Sequence, residues 1–279
     1  MMKASGIICA TVLLTACGQS TDKVPSGDPG SAPIRIVSLD YCADQYVLAL
    51  AERDQILALS TESQDDYSYY KEEAVGIRQV RPRAEEVLAL KPDLIVRSFG
   101  GGPRSTRLYN SAGIPVVQIG WTSDFASVRD VLTEVAKPLH AEARAEIIIA
   151  DFDERIAALP DASSGQSALY MTPGGVTSGT GTLIDQMFTA AGLSNFETQP
   201  GWHDLPLERL VHDKPDVVAA AFYQSIHKTP GAWSPARHPI AQNTLESQNT
   251  IPLEGAWTAC GAWYLIDAVE ALADGGVAP

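Results

Sequence analysis

Residues 138–159 read PLHAEARAEIIIADFDERIAAL, and the apolar positions Ala145, Ile148, Ile149, Phe152, Ile156 and Leu159 recur at helical spacing. One face of such a helix must lie against something large. Pro138 suits a first turn, Glu142 and Glu146 suit the positive amino end, Arg155 suits the carboxyl end, and Pro160 stops the run. A helix of this length spans about 30 Å, the width of a small domain, so the stretch predicts a strut between two lobes. Short branched runs at 34–38, 56–59, 94–96 and 116–119 precede it, and similar runs at 168–171, 217–221 and 250–252 follow it; each predicts a buried strand. Helical patterns at 43–52, 105–112, 183–191 and 262–273 alternate with them, and 224–247 reads as irregular and partly helical. The alternation predicts an α/β fold of two lobes, 34–137 and 161–279, each with a mostly parallel central sheet flanked by helices, joined by one long helix over 138–160.

The two predicted lobes share a pattern. RAEEVLALKPDLIV at 83–96 and PLERLVHDKPDVVA at 206–219 superpose with Glu85 on Glu208, Lys91 on Lys214, Pro92 on Pro215 and Asp93 on Asp216. In each, a short amphipathic helix ends before Lys-Pro-Asp and a β-branched strand follows. One copy per half fits two lobes of related architecture rather than a solenoid, which needs at least three tandem repeats.

Ahead of the lobes, Lys3, an apolar run at 6–14 and small residues before Cys17 have the build of a secretion signal, too short to span a bilayer. Leu14-Thr15-Ala16-Cys17 resembles the lipobox of bacterial lipoproteins, which implies removal of residues 1–16 and acylation of Cys17. Residues 17–33 then read as a flexible tether rich in Ser, Gly, Pro and Asp. With 279 residues, 45% of them hydrophobic, the chain can build two packed lobes, and a net charge of −14 argues against binding nucleic acid or anionic membranes through a basic surface.

In such sheets ligands sit beyond the carboxyl ends of the strands, where this chain carries Asp40, Tyr41, Tyr70, Arg97, Phe99, Trp121, Ser178, Trp202, Tyr223 and Trp257. Gly100-Gly101-Gly102 lacks the lysine of a phosphate loop and the spacing of a dinucleotide fingerprint, so it reads as a bend with close backbone approach. Cys42 and Cys260 fall one per lobe; a disulfide between them, two separate buried thiols and a thiolate ligand to a bound metal all fit. His140, His203, His212, His227 and His238 show no metal-site spacing, and no nucleophile elbow is present.

The order of strand, Thr177-Ser178-Gly179 loop, helix, Ala-Gly-x-x-Asn, then Pro-Leu-Glu-Arg-Leu and Lys-Pro-Asp resembles the periplasmic substrate-binding proteins of ABC importers for iron complexes and vitamin B12. Residues 40–51, 85–96 and Gly113-Ile114-Pro115 match the first half of that family, so the likeness runs from 34 to 273. It implies a ligand-binding cleft between lobes joined by a rigid helix, and capture of a metal chelate (ferric siderophore, haem or cobalamin) without catalysis. It also implies a permease partner met by Glu85 and Glu208, with no resident cofactor and no structural metal. Trp202 stands where the cobalamin-binding member has a stacking tryptophan, whereas Val176 replaces an aromatic of that member. An extracytoplasmic enzyme or redox protein using the same cleft is the alternative from another class.

Overall fold

The computed structural model describes residues 34–160, 164–222 and 234–276. The leader, Cys17, the tether and Tyr223 lie outside the described residues. Among those described, no helix is long and apolar enough to cross a membrane.

The first lobe contains β1 (Ile36–Ser38), α1 (Tyr41–Leu50), β2 (Ile56–Ser60), β3 (Gln79–Val80), α2 (Ala84–Leu88), β4 (Leu94–Arg97), α3 (Gly102–Ser111) and β5 (Val116–Gln118). Its strands form a parallel sheet in the order β3-β2-β1-β4-β5. After α4 (Phe125–Ala136) and α5 (Glu142–Ala157), the second lobe has β6 (Ser167–Met171), β7 (Val176–Ser178), α6 (Leu183–Ala190), β8 (Ser194–Asn195), β9 (Trp202–Asp204), α7 (Leu207–Leu210) and β10 (Val217–Ala221). It continues with α8 (Pro239–Ser247), β11 (Asn249–Leu253), α9 (Gly255–Thr258) and α10 (Ile266–Gly276). A second parallel sheet runs β11-β10-β6-β8, and β7 pairs with β9 as a separate antiparallel ribbon.

The repeat seen in the sequence has one physical job in both lobes. Asp93, just before β4, accepts the backbone N–H of Arg35 at 3.0 Å, and Asp216, just before β10, accepts that of Ser167 at 2.7 Å. Each aspartate thereby pins the start of the neighbouring parallel strand, β1 or β6, and fixes the register of the pair. Hydrogen bonds from the Arg35 guanidinium and N–H hold the Asp93 carboxyl below the usual aspartate range, and those from the Ser167 N–H and hydroxyl do the same for Asp216.

The joining helix is shorter than the pattern predicts. Residues 137–139 form a 3-10 turn, His140 adopts the left-handed conformation with φ 53°, and α5 begins only at Glu142. Pro138 therefore belongs to the last turn after α4, where its missing N–H costs nothing, and the reversal at His140 separates the two helices. The 16 residues of α5 span about 24 Å. Its buried face carries Ala145 and Phe152, and Phe125 of α4 meets Phe152 edge to face at 5.5 Å between ring centroids. One continuous core passes from Ile36, Val47 and Leu59 through Phe152 to Tyr170, Val217 and Leu272, so both lobes pack on the same helix pair.

Charged groups clamp α5 at both ends. Arg144 donates to the Leu50 carbonyl at 3.0 Å and to Glu52 at 2.6 Å in the first lobe. Arg155 reaches Asp267 at 2.6 Å and Glu270 at 2.8 Å on α10, and Asp267 in turn accepts the Tyr69 hydroxyl at 2.7 Å. Helix α4, the short β3 and the β7/β9 ribbon are absent from the sequence expectations. Asp124 caps α4 by accepting the Ser127 N–H at 2.7 Å.

Candidate functional site

The carboxyl ends of β1 and β4 meet at Asp40, which caps α1 by accepting the Ala43 N–H at 3.0 Å. Its other oxygen accepts three successive N–H groups, from Ser98 at 2.7 Å, Phe99 at 3.0 Å and Gly100 at 2.8 Å. Such a concave run of amides is an anion cradle, and here an internal carboxylate fills it. Gly100 permits the approach, since a Cβ there would lie 2.3 Å from the Leu39 carbonyl oxygen. Asp40 is thus buried and saturated: contrary to the sequence expectation, it shapes the site from beneath instead of touching a ligand.

Gln45, one turn further along α1, does the same for the next loop. Its amide nitrogen donates to the Tyr41 carbonyl at 2.7 Å and to Ser68 Oγ at 2.8 Å, and its oxygen accepts the Tyr70 N–H at 2.8 Å. With both loops fixed to one helix, Tyr41 stands between two other rings, Tyr67 at 4.9 Å and Phe99 at 5.2 Å, both edge to face. Phe99 is 52% exposed, and Trp121, past the end of β5, is 79% exposed. The Tyr67 hydroxyl donates to Asp65 at 2.8 Å and Glu62 at 3.1 Å.

The second lobe supplies the opposite wall. Ser178 on β7 pairs with Trp202 on β9, and Gly179 donates to the Gly201 carbonyl at 2.8 Å. A Cβ on Gly179 would fall 1.7 Å from the Gln199 carbonyl oxygen, so only glycine admits this approach. Trp202 is held edge-on to the buried Tyr170 at 5.9 Å and stays 45% exposed. The loop sequence that follows β7 closes on itself, with Ser178 Oγ and Thr182 Oγ1 sharing a 2.7 Å hydrogen bond and Asn195 donating to the Ser178 carbonyl at 3.1 Å.

Between these walls the lobes touch at the base of a gap. Cys42 and Cys260 are joined by a disulfide, with Cα atoms 5.8 Å apart. Beside it Thr122 Oγ1 donates to the Gly261 carbonyl at 2.9 Å, and a Cβ on Gly261 would strike that hydroxyl. Gly255 at the start of α9 lies flush against the Phe222 ring and the Tyr67 Cβ, 2.6 Å and 3.4 Å from where its own Cβ would be.

Several predicted residues fall elsewhere. Arg97, the last residue of β4, is buried, and its Nη1 donates to Thr106 Oγ1 of α3 at 2.6 Å. Tyr70 joins an aromatic cluster with Trp263 and Tyr264 and lines a hollow of about 310 Å³ against Ile148 and Phe152 of α5. Ser178 is fully buried, so its hydroxyl serves the β7 loop. Trp257 on α9 is half-buried against the main core, three positions before the disulfide. Tyr67 belongs to the tyrosine loop that the sequence places at the strand ends, whereas Gln45 and Thr122 were not singled out in the sequence. The available signal was the polar pair Asp44-Gln45 in an otherwise largely apolar stretch of α1.

The outer carboxylates are free. Glu85 and Glu208 stand exposed in the first turns of α2 and α7 and make no ion pair among the described residues, whereas neighbouring Glu86 pairs with Arg83 at 3.6 Å. Among the described residues no group of three or more His, Cys, Asp or Glu is placed to hold a metal ion.

The chain resembles known proteins in sequence and in fold. The vitamin B12-binding protein of Pectobacterium atrosepticum is 28% identical over 224 residues, 73% of this chain and 77% of its own length. The probable siderophore-binding lipoprotein YfiY of Bacillus subtilis is 26% identical over 186 residues, 60% of this chain and 54% of its own. Among solved structures, the periplasmic heme-binding protein HutB of Vibrio cholerae aligns over 86% of this chain and 98% of its own with a TM-score of 0.70 at 19% identity. The periplasmic vitamin B12-binding protein BtuF of Vibrio cholerae aligns over 87% and 96% with a TM-score of 0.60, also at 19% identity. A family model described as periplasmic binding protein matches residues 36–228, and the chain belongs to that family.

Proposed function

We propose that this chain captures a metal chelate between its lobes and hands it to the permease of an ABC importer, performing no chemistry on it. The supporting observation is the set of exposed rings, Phe99 and Trp121 just past the carboxyl ends of β4 and β5 on one lobe and Trp202 on the β7/β9 ribbon of the other. Flat apolar faces on opposing walls suit a planar complex gripped from both sides. Relatives named for vitamin B12 and siderophores support the same ligand class. Glu85 and Glu208 supply one unpaired carboxylate per lobe for guanidinium groups on the permease. Acylated Cys17 and the tether hold the body at the membrane.

Titration of the mature protein with cyanocobalamin, haemin and a ferric hydroxamate, followed by tryptophan fluorescence, tests the capture step. One equivalent of at least one chelate should bind, and Trp202→Ala should weaken it about tenfold. Absence of binding to all three at millimolar concentration sinks the reading. Reversing Glu85 and Glu208 together should abolish uptake in cells and leave affinity unchanged; intact uptake defeats the docking role.

A further inference from the structure

We infer that the gap selects a coordinatively saturated chelate that is uncharged or cationic and carries N–H donors on its rim, and that it discriminates against polyanionic iron complexes. The inference rests on the reading of the gap as a chelate site and adds the charge and coordination state of what enters it.

An anionic complex needs cations in the wall, and an iron centre with an open position needs a phenolate or imidazole. Among the described residues, and apart from the exposed Arg104 in the first turn of α3, the groups that could serve are buried, engaged or held protonated. Arg97 is buried, with Nη1 on Thr106 Oγ1 and the Gly102 carbonyl and Nε without a partner, so its guanidinium is held inside the lobe. Tyr67 already donates its proton to Asp65 and Glu62. Tyr41, beside it, is half-buried, and the charged groups that bear on its phenol are Glu62 and Asp40. Burial and these carboxylates hold both phenols above the ordinary tyrosine range, so neither readily becomes a phenolate ligand. The ring nitrogens of His203 sit 3.2 Å and 3.3 Å from the carbonyl oxygens of Asp204 and Gln199.

What the walls do offer is different chemistry. Tyr41, Phe99, Trp121 and Trp202 supply ring faces and edges. Glu62 and Asp65 each accept one hydrogen bond from Tyr67 and keep further lone pairs for donors from outside. Acceptor oxygens beside aromatic faces complement a flat macrocycle fringed with amides, and the same oxygens repel catecholate or carboxylate groups on a ligand's edge.

The test is a four-ligand titration of the mature protein with cyanocobalamin, ferrioxamine B, haemin and ferric enterobactin. Cyanocobalamin or ferrioxamine B should bind about 100-fold more tightly than either anionic complex, as expected for two carboxylates near the ligand edge. In the Glu62→Gln, Asp65→Asn double variant, in which the Tyr67 hydroxyl keeps neutral partners, the two anionic complexes should gain about tenfold. Arg104→Ala, at an exposed arginine in the first turn of α3, should leave all four affinities alone. A wild-type preference for haemin or ferric enterobactin overturns the inference while leaving chelate capture intact. So does selective loss of an anionic complex in Arg104→Ala, or an iron-tyrosinate band with haemin that Tyr41→Phe or Tyr67→Phe abolishes. Binding of none of the four removes chelate capture itself, and this inference with it.

Discussion

The two walls of the gap are built by different means. On the first lobe, two polar side chains of α1 organise everything: Asp40 gathers the 98–100 turn and Gln45 gathers the tyrosine loop. On the second lobe, Trp202 is placed by a backbone ribbon and by the close approach at Gly179. At their bases the lobes still match, with Asp93 and Asp216 pinning equivalent strands. The bases thus kept a shared solution to strand registry, while the facing ends went separate ways. A side-chain cradle can be retuned one residue at a time, whereas a ribbon moves as a unit.

The largest expected effect comes from undoing the bond that makes the two walls one body. Replacing Cys42 and Cys260 together with serine frees a closure of 218 residues in sequence separation, worth up to about 5 kcal/mol of chain entropy. Calorimetry should show a lower and broader transition. An unshifted, equally sharp transition would mean that α5 and the shared core already tie the lobes as strongly.

Next come the walls themselves. Asp40→Ala strands backbone donors of two segments in a buried place and should cost about 3 kcal/mol, with faster amide exchange confined to 98–100 and the start of α1. Gly179→Ala forces β7 away from Gln199 and should cost about as much, with Trp202 losing its near-ultraviolet dichroism. If either change spreads to the opposite wall, the walls are not independently built.

The smallest effect is a pH dependence with two limbs. Burial raises the Asp44 carboxyl to about 6, although Ser60 donates to it through N–H and hydroxyl. A raised carboxyl contributes stability that is present below about pH 4 and lost as pH climbs through about 6. Asp93 and Asp216, lowered by hydrogen bonds and exposed, act the other way and lose their contribution as pH falls below about 4. Stability should therefore peak in mild acid, and Asp44→Asn should flatten the high-pH limb by about 2–3 kcal/mol. A urea midpoint that rises steadily from pH 5 to 8 would contradict this assignment.

Most of the architecture was legible because it is periodic. The branched runs, the Lys-Pro-Asp repeat and the apolar stripe of α5 each encode one element and its buried face. The site was less legible, because its key contacts join distant positions. That Asp40 is consumed by residues 98–100 depends on the ordering of β1 beside β4, which no local pattern states. Arg97 lies inside its lobe on Thr106, and the loop turns between Tyr67 and Tyr69, sending one hydroxyl to Asp65 and the other to Asp267. The early start given to α5 follows from reading Pro138 as a first-turn proline, when the reversal at His140 assigns it to the preceding turn.

The link between Cys42 and Cys260 closes nearly the whole described body into a covalent hoop. A protease that clips the polar stretch after β2 leaves two fragments still fastened, separable on a gel only once a thiol is added. The hoop also carries a record of where the molecule matures. Glutathione keeps cytosolic cysteines reduced, so the hoop persists in an oxidising compartment and opens in a reducing one.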